Sequence, residues 1–410
     1  MRILIGTWHR NLVGGTEKYL QALIPGLLEQ GHQVAVVHAC PANIEEGTID
    51  PPGAPVPVWS LAELGSEALL RAVAEWEPDV VYSQGVNDTA LELALLDRYP
   101  TILFAHAYNL TCVSGRKYHA FPGVQPCNRK FGPACLALYF PRRCGGWSPQ
   151  TMWLMYQETA RVNARLNTYR AVVVGSAHMY HEFLQHGVPP EKLHVAPLPS
   201  MDSEFRPDPP KPHAPEGRIL FLGRLIDAKG GSYLIRAIPQ ASKKLGRPLS
   251  LTIAGDGPDR QPLEKLSRDL HVTVKFAGWL SAQPKAALLR ESDLLAVPSL
   301  WPEPFGLVGI EAGSLGVPAV GYALGGIPDW LIPGETGELA PGDPPTVDGL
   351  ADAIVAALAD PVQYQRLCRG AWEKSHSFTL AAHMNKLEAI LGDARLRNDS
   401  ASTVPEVLRS

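Results

Sequence analysis

The sequence predicts an α/β protein with two open parallel sheets and a cleft between them. Short apolar runs alternate with helical stretches, and this alternation stops at a proline-rich segment and then starts again. The length agrees, because 410 residues at roughly 150 per domain suggest two or three domains. Ligands of open parallel sheets bind at the carboxyl ends of the strands. We therefore expect the functional site in the cleft.

The composition is that of a globular protein, with 45% hydrophobic and 19% charged residues. The formal charge is 37 − 41 = −4, which argues against a dedicated nucleic-acid binder. No apolar run is long enough to span a membrane. The opening MRILIGTWH is too short for a signal peptide, so a cytoplasmic protein is expected.

The first array of elements begins at the N-terminus. Strands are predicted at residues 2–6 and 33–38. Between them, apolar residues at 20, 23, 24, 27 and 28 form one helical face, which Gly31 can end. A strand, a helix and a strand in this order form a βαβ unit, which implies a parallel sheet. Further strands are predicted at 80–82, 101–105 and 171–174.

The segment 197–217 is rich in proline and has no apolar period, so we interpret 201–217 as a linker. It separates an N-terminal domain, residues 1–200, from a second domain, residues 218–376. In the second domain, strands are predicted at 218–223, 249–254, 272–277, 293–298 and 318–321, and helices at 231–238 and 306–315. Residues 377–410 are expected to form a helix that could pack on the N-terminal domain, followed by a mobile tail.

One loop of the second array carries two cations. The apolar run LFL ends at Gly223, Arg224 and Lys229 follow, and Gly230 and Gly231 open a helix. Fixed cations near a helix N-terminus make an anion site that suits a diphosphate. The alternative is a pair of solvated surface cations, which such loops often carry.

The glycine-rich loops match no common nucleotide fingerprint. GDGPDR at Gly255 follows a predicted strand, but Arg260 stands where GxGxxG needs its third glycine. A Walker A pattern is also missing from the sequence. Taken alone, this loop is more typical of a plain turn than of a binding loop.

The stretch WPEPFGLVGIEAG contains two glutamates. Glu303 falls in a loop with two prolines, whereas Glu311 falls about a turn and a half into the helix that Gly306 starts. The helix dipole favours an anion in front of that helix, and carboxylates beside it can accept hydrogen bonds from hydroxyl groups. This arrangement suits a nucleotide sugar. The alternative is a loop glutamate and a helix glutamate that pairs with a lysine.

These residues resemble a known family. The pattern Glu303-Pro-Phe-Gly…Glu311, with Arg224 and Lys229 upstream, is similar to the donor domain of retaining glycosyltransferases of the GT-B fold, family 4 or group 1. The resemblance implies two Rossmann-like domains that face a cleft. It covers most of the chain and is strongest at residues 218–343.

Two features of the N-terminal half also resemble this family. The loop GGTE at Gly14 is similar to its first loop, and His106 in LFAHAYN matches its acceptor-side histidine. One position departs from the pattern, because Asp329 stands where glutamate is commoner. For His106, the alternative is an ordinary histidine at a strand end.

The resemblance implies a role for each matching residue. Arg224 and Lys229 would neutralise the donor diphosphate, and Glu311 would hold the ribose hydroxyls. Glu303, with the amides of the next residues, would orient the transferred sugar, and His106 would contact the sugar or help to set up the acceptor. The other candidates are Gly15, Phe305, Gly306, Leu307, Gly255 and Gly278 on the donor side, and Trp8 and His9 on the acceptor side.

The implied reaction is a retaining transfer from a nucleotide-diphosphate sugar to a hydroxyl acceptor: a glycan, a lipid carrier or a secondary metabolite. No catalytic cofactor is expected, because cations would replace a divalent metal and the chain contains no Asp-x-Asp. Two alternatives stay open: a sugar-nucleotide epimerase of the same fold, and a non-catalytic protein that binds sugar nucleotides or glycans. The intact donor-site residues count against the second.

Four of the six cysteines lie in the segment 107–157, which we interpret as a Cys-rich insertion. Cys112, Cys127, Cys135 and Cys144 are separated by 15, 8 and 9 positions, with no CxxC pair. A structural zinc or iron–sulfur site, disulfides and ordinary thiols all remain open.

The insertion also carries cations and large apolar residues: Arg129, Lys130, Arg142, Arg143, Trp147, Trp153 and Met155. They could contact an anionic lipid carrier and hold the protein at the inner face of a membrane. The alternative is a solvated basic loop over a hydrophobic helix.

Overall fold

The computed structural model describes residues 1–43, 47–51, 53–200, 206, 208–211 and 213–402. These residues form two parallel sheets and a short antiparallel hairpin. The predicted linker lies partly outside the described residues. The tail predicted after Gly392 is helical as far as Ser402 and lies outside the described residues beyond it.

The first sheet has the strand order β3-β2-β1-β4-β5-β8-β9, and its strands pair in parallel. Its strands are β1 (Arg2–Thr7), β2 (Gln33–His38), β3 (Val58–Ser60), β4 (Val80–Ser83), β5 (Thr101–Ala105), β8 (Ala171–Val174) and β9 (Leu193–Val195). The hairpin between β5 and β8 consists of β6 (Tyr118–His119) and β7 (Gln125–Pro126). The helices of this half are α1 (Gly15–Glu29), α2 (Leu61–Trp76), α3 (Thr89–Arg98), α4 (Ala134–Leu138), α5 (Pro149–Asn163) and α6 (Ala177–Gln185).

The second sheet has the order β12-β11-β10-β13-β14-β15 and is also parallel. Its strands are β10 (Arg218–Leu222), β11 (Ser250–Ala254), β12 (Val274–Gly278), β13 (Leu294–Val297), β14 (Ala319–Tyr322) and β15 (Gly337–Ala340). The helices are α7 (Gly231–Leu245), α8 (Arg260–Asp269), α9 (Ala282–Glu291), α10 (Leu307–Ser314), α11 (Val347–Leu358), α12 (Pro361–Ser375) and α13 (Leu380–Ser402).

The central strands are buried on both faces, as expected for parallel sheets under crossover helices. In β1, Ile3 and Ile5 join one apolar cluster and Leu4 joins another. In β10, Ile219 and Phe221 likewise lie in one cluster, and Leu220 and Leu222 in a second. The two-sheet fold predicted from the alternation of elements is confirmed.

Helix α13 follows the second sheet but packs on the first half of the chain. Its Leu387 and Leu391 are fully buried in the cluster built on β1 and α1. The Met384 side chain fills the space left by Gly26 of α1, where an added Cβ would lie 3.2 Å from the Met384 methyl carbon. The chain therefore returns to the N-terminal sheet to complete its core.

In the part of the chain that the structure describes, α-helices that could cross a bilayer are absent.

Candidate active site

The two sheets present their carboxyl edges to each other. The Tyr108 hydroxyl, just after β5, donates to the carbonyl of Pro302 at 2.7 Å, in the loop after β13. The Ser176 hydroxyl, just after β8, donates to the carbonyl of Pro304 at 2.6 Å. Because each of these loops leaves the carboxyl end of a strand, the candidate residues on both sides meet along one cleft.

The loop with Arg224 and Lys229 lies directly against the loop after β13. A Cβ added to Gly230, which has φ 71°, would lie 1.8 Å from the carbonyl oxygen of Pro298, so only glycine permits this approach. The approach sets Lys229 beside the predicted sugar-binding loop. Arg224 is exposed on the same loop.

Lys229 and Glu303 form an ion pair between Nζ and Oε1. The same carboxylate accepts a hydrogen bond from the Ser299 hydroxyl at 2.6 Å. Glu303 is only 5% exposed. Burial alone would raise its pKa, but Lys229 and the Ser299 hydroxyl outweigh burial and hold the pKa of Glu303 below its ordinary value. The carboxylate therefore stays ionised inside the cleft.

The N-terminus of α10 is fixed in place by an indole ring. Trp330 Nε1 donates to the carbonyl of Phe305 at 2.7 Å, and Gly309 gives the ring its space, since a Cβ there would lie 2.1 Å from it. The amides at the first turn of a helix have no partner within the helix. Phe305, Gly306 and Leu307 thus hold a helix N-terminus next to Glu303.

Glu311 pairs with a lysine that sequence reasoning did not find. Lys285 Nζ, from α9, lies 2.9 Å from Glu311 Oε2, and both side chains are largely buried. This contact is the one named above as the alternative for a helix glutamate. Lys285 belongs to no motif and is 26 positions from its partner, so local spacing could not reveal it. Ribose binding by Glu311 stays a prediction.

Gly255 and Gly278 lie together at the ends of β11 and β12. The Gly255 amide donates to the Gly278 carbonyl at 2.7 Å. A Cβ on Gly255 would lie 1.9 Å from the carbonyl oxygen of Gly223, so the three strand ends are in close backbone contact. These glycines allow the neighbouring loops to pack closely on the loop that carries Arg224 and Lys229, called the cation loop below.

His106 lies at the end of β5, stacked on Phe104 with 4.5 Å between ring centroids. Its Nε2 donates to Gln84 Oε1 at 2.8 Å, which leaves Nδ1 as an acceptor. Burial, and then the nearby His383, lower the pKa of His106 to about 3. The imidazole is therefore neutral near pH 7, and its Nδ1 can accept a hydrogen bond there.

The loop before α1 is held by its own glutamate. The Glu17 carboxylate accepts a hydrogen bond from the Gly14 amide at 2.8 Å, and the next residue, Gly15, opens the helix beside open space. Trp8 is 43% exposed, and its ring lies 4.4 Å from that of His9. The structure places Trp8, Gly15 and His106 on the same edge of the first sheet.

Asp329 bridges the two halves of the chain. Its carboxylate accepts a hydrogen bond from the Ala177 amide at 2.7 Å, at the N-terminus of α6. Burial raises the pKa of Asp329, although this amide contact opposes the rise. At this position, which departs from the family pattern, the side chain is thus used to hold the two sheets together.

A second bridge joins the Cys-rich insertion to the cation loop. The Tyr118 hydroxyl, on β6, donates to the Asp227 carboxylate, 3.1 Å from each oxygen. Asp227 Oδ1 also accepts from the Ala228 amide at 2.7 Å. Because Asp227 opens the turn that ends at Lys229, the insertion contacts a side chain of the turn that positions Lys229.

We expect Tyr118→Phe to lower kcat/KM for the donor by about tenfold, because one hydrogen bond that holds the cation loop is lost. The change can lie in a higher KM, a lower kcat or both. The change should be measured as separate kcat and KM values. Tyr156→Phe, on α5 of the same insertion, is the matched control. Unchanged constants in Tyr118→Phe would show that the insertion does not position the cation loop.

The network around His383 predicts a pH dependence of stability. Its Nδ1 donates to the Pro197 carbonyl at 2.9 Å, so its Nε2 accepts from the Tyr19 hydroxyl at 2.8 Å. Burial lowers the pKa of His383 to about 4. The unfolded chain takes up a proton near pH 6.5 and the folded chain does not, so the free energy of unfolding falls as pH drops towards 4.

As pH drops towards 4, we expect the free energy of unfolding to fall by up to about 3 kcal/mol less in His383→Gln than in the wild type. Urea unfolding at several pH values between 4 and 7 measures it, with exposed His376→Gln as the control. If His383→Gln and the wild type lose stability in parallel, the buried histidine is not the cause.

The four cysteines of the insertion are free and partly buried. Cys144 Sγ lies 3.4 Å from His119 Nδ1, and burial followed by the other three thiols raises the pKa of Cys144 to about 12. Among the described residues, groups of three or more His, Cys, Asp or Glu that could hold a metal ion are not found. A structural zinc or iron–sulfur site at these four cysteines therefore stays a prediction, which metal analysis of the purified protein tests.

The exposed aromatic residues of the insertion lie at its outer face. Trp147 is 70% exposed and Trp153 is 49% exposed. The Arg143 guanidinium lies over the rings of Phe121 and Trp147, 5.0 and 5.7 Å from their centroids. Arg143, Phe121 and Trp147 thus share one surface, and membrane contact of the insertion stays a prediction.

The chain is similar to known glycosyltransferases in both halves. The family described as Glycosyltransferase Family 4 matches residues 13–199, and that described as Glycosyl transferases group 1 matches residues 203–374. The glycogen synthase of Mycobacterium tuberculosis H37Rv is 26% identical in an alignment of 411 residues. The alignment covers 91% of this chain and 90% of that protein. The D-inositol 3-phosphate glycosyltransferase of Corynebacterium diphtheriae is 33% identical over 186 residues, 43% of each chain.

Solved structures share the two-sheet architecture. HepE of Anabaena, in complex with UDP and glucose, has a TM-score of 0.66 at 20% identity and covers 96% of this chain and 99% of its own. Sucrose-phosphate synthase of Thermosynechococcus elongatus has a TM-score of 0.67 at 20% identity, covering 98% and 99%. At such identities the likeness shows the fold. Since the two family matches together span nearly the whole chain, it belongs to the family 4, group 1 glycosyltransferases of the GT-B fold.

Proposed function

We propose that the protein transfers a sugar from a nucleotide-diphosphate sugar to a hydroxyl acceptor, with retention and without a metal ion. The observation that carries this proposal is the pair Lys229–Glu303 at the N-terminus of α10, with Arg224 exposed on the same loop. The combination offers cations and helix amides to a diphosphate, and an ionised carboxylate to sugar hydroxyls. A solved structural relative, HepE, contains UDP and glucose, which supports a donor of this class.

In the proposed reaction, the acceptor oxygen forms a bond to the anomeric carbon on the face from which the diphosphate oxygen departs. The acceptor proton passes to that leaving oxygen. Arg224 and Lys229 stabilise the negative charge that develops on the diphosphate. Glu303 orients the sugar, Glu311 binds the ribose after release from Lys285, and neutral His106 contacts the sugar or the acceptor.

A thermal-shift panel of UDP-, GDP-, ADP- and dTDP-sugars tests the donor. A ligand that binds the folded state raises its apparent stability by mass action, by about 2.7 kcal/mol at a hundredfold excess over Kd. We expect the sugars of one nucleotide to stabilise the wild type, and to stabilise the Glu311→Gln variant far less. Stabilisation by none of these nucleotides would contradict the proposal.

The finer parts of the proposal need separate measurements. Transfer that persists in excess chelator supports metal independence. Retention is decided by the anomeric configuration of the product, measured by NMR. Incubation with the donor alone identifies an epimerase, because an epimerase changes the donor sugar without an acceptor. Transfer or hydrolysis of the donor excludes a non-catalytic binding protein, which leaves the donor unchanged.

A further inference from the structure

A cavity of about 780 Å³ opens at the carboxyl edge of the first sheet. Its floor is formed by the ends of β1, β4 and β5, and α5 of the insertion forms one wall. His106 lines this cavity, so a molecule bound there reaches the N-terminal side of the cleft. The cavity is also lined by Thr7, Trp8, Gln84, Leu154 and Met155.

Two buried polar groups of this cavity lack a partner within the described residues: the Thr7 hydroxyl and the Gln84 side-chain nitrogen. Thr7 is fully buried and Gln84 is 7% exposed. Buried polar groups without partners are costly and rare in folded proteins. Hydroxyl groups of a ligand match both, because the amide nitrogen donates and the threonine hydroxyl can donate or accept.

The charged residues of the cavity disfavour an anionic ligand. Four carboxylates line it, those of Glu17, Asp88, Glu92 and Glu158, against the single cation of Arg161 among the described lining residues. That cation lies 3.2 Å from the Glu158 carboxylate. A phosphate or carboxylate would therefore meet like charges without a free cation to compensate.

The wall formed by α5 is apolar and open. Leu154 is 52% exposed and Met155 is 36% exposed, and both line the cavity. Trp8 lines it as well and is 43% exposed. Exposed large apolar side chains around a concave site are typical of ligand-binding surfaces.

We propose that this cavity binds the acceptor, and that the acceptor is an uncharged, hydroxyl-rich molecule with an apolar substituent. Its hydroxyl end meets Thr7 and Gln84, and its apolar part lies along Leu154 and Met155. The inference rests on the proposed transfer function, because it assigns the acceptor of that reaction.

The test measures direct binding of matched glycosides by calorimetry, below the micelle concentration. The probes are octyl, methyl and carboxylate-bearing octyl glycosides (octyl glycuronides) of glucose, galactose and mannose. For at least one sugar we expect the octyl glycoside to bind about tenfold more tightly than its methyl and its carboxylate counterparts. Equal binding of octyl and methyl forms for every sugar, tighter binding of the carboxylate forms, or no binding of any probe would overturn the proposal.

Three variants locate the binding. Leu154→Ser should remove the preference for the octyl chain, whereas Leu184→Ser, on α6 and outside the cavity lining, should keep it. Thr7→Val, which keeps the side-chain shape, should weaken the binding of the octyl and of the methyl glycosides by the same factor. If Leu154→Ser and Leu184→Ser bind alike, the apolar part does not lie on α5 and the proposal fails.

The failure of this inference can be told apart from that of the proposed function. Stabilisation by a nucleotide sugar without glycoside binding overturns the acceptor inference and leaves the donor chemistry intact. Glycoside binding that follows the expected pattern, without any effect of nucleotide sugars, supports the cavity assignment and contradicts the proposed donor.

Discussion

Lys229→Ala is expected to reduce the rate of sugar transfer by about a hundred- to a thousandfold, the usual effect of removing one preorganised electrostatic group from a transition state. Lys229 is the cation that pairs with Glu303 in the loop after β13, and Arg224 beside it in the cation loop remains in the variant. Removal also leaves the buried Glu303 carboxylate without the ammonium that pairs with it, while the Ser299 hydroxyl still donates to it. We therefore expect the pKa of Glu303 to rise in the variant.

The measurement is kcat/KM for transfer with the donor found in the thermal-shift panel. Lys244→Ala is the matched control, because Lys244 forms an exposed ion pair with Asp352 at the C-terminal end of α7, whereas Lys229 lies just before the N-terminal end of that helix. Glu303→Gln provides a second test, since it keeps the size of the side chain and removes its charge. Near-normal turnover in both Lys229→Ala and Glu303→Gln, with folded protein, would refute the assignment.

Lys117→Met is expected to lower the free energy of unfolding by about 3–5 kcal/mol, because it leaves a buried carboxylate without its counter-ion. Lys117 Nζ lies 2.5 Å from Glu182 Oε1, and each side chain is 3% exposed. The ammonium also donates to the Arg129 carbonyl at 2.7 Å. This pair joins the Cys-rich insertion to α6, so the loss should appear first in the insertion.

Urea unfolding measures the loss in the global free energy of unfolding. Hydrogen exchange measures the loss of stability within the insertion. Lys265→Met is the control, since Lys265 pairs with Asp269 at the surface. The double variant Lys117→Met, Glu182→Gln should recover part of the loss, because it removes the unpaired charge. A loss in Lys117→Met no greater than in the control would mean that the ion pair does not stabilise the folded state.

The sequence predicts the interior strands better than the edge strands. The strands at 33–38, 101–105 and 171–174 have the predicted bounds, because strands buried on both faces read as continuous apolar runs. The strands β3, β9 and β15 were not predicted. Each lies at an edge of its sheet and contains polar residues such as His194 and Glu338, so it gives no apolar run.

The residues of the candidate site also differ in whether the sequence predicts them. Lys229, Glu303 and Glu311 could be found from short motifs, because each motif lies within one strand–loop–helix connection. Lys285 and Tyr118 could not, because they reach the site from other elements: Tyr118 contacts Asp227 from 109 positions away. Long-range contacts of this kind leave no local spacing in the sequence.

The return of α13 to the first sheet has a consequence for protein engineering. A fragment that ends near residue 200 would lack Leu387 and Leu391, which fill the core of its own sheet, and would expose apolar surface. In chimaeras that exchange donor specificity between relatives, the segment from residue 380 onward should therefore come from the same parent as residues 1–200. A chimaera with a single crossover in the linker would pair α13 from one parent with the α1 surface of the other.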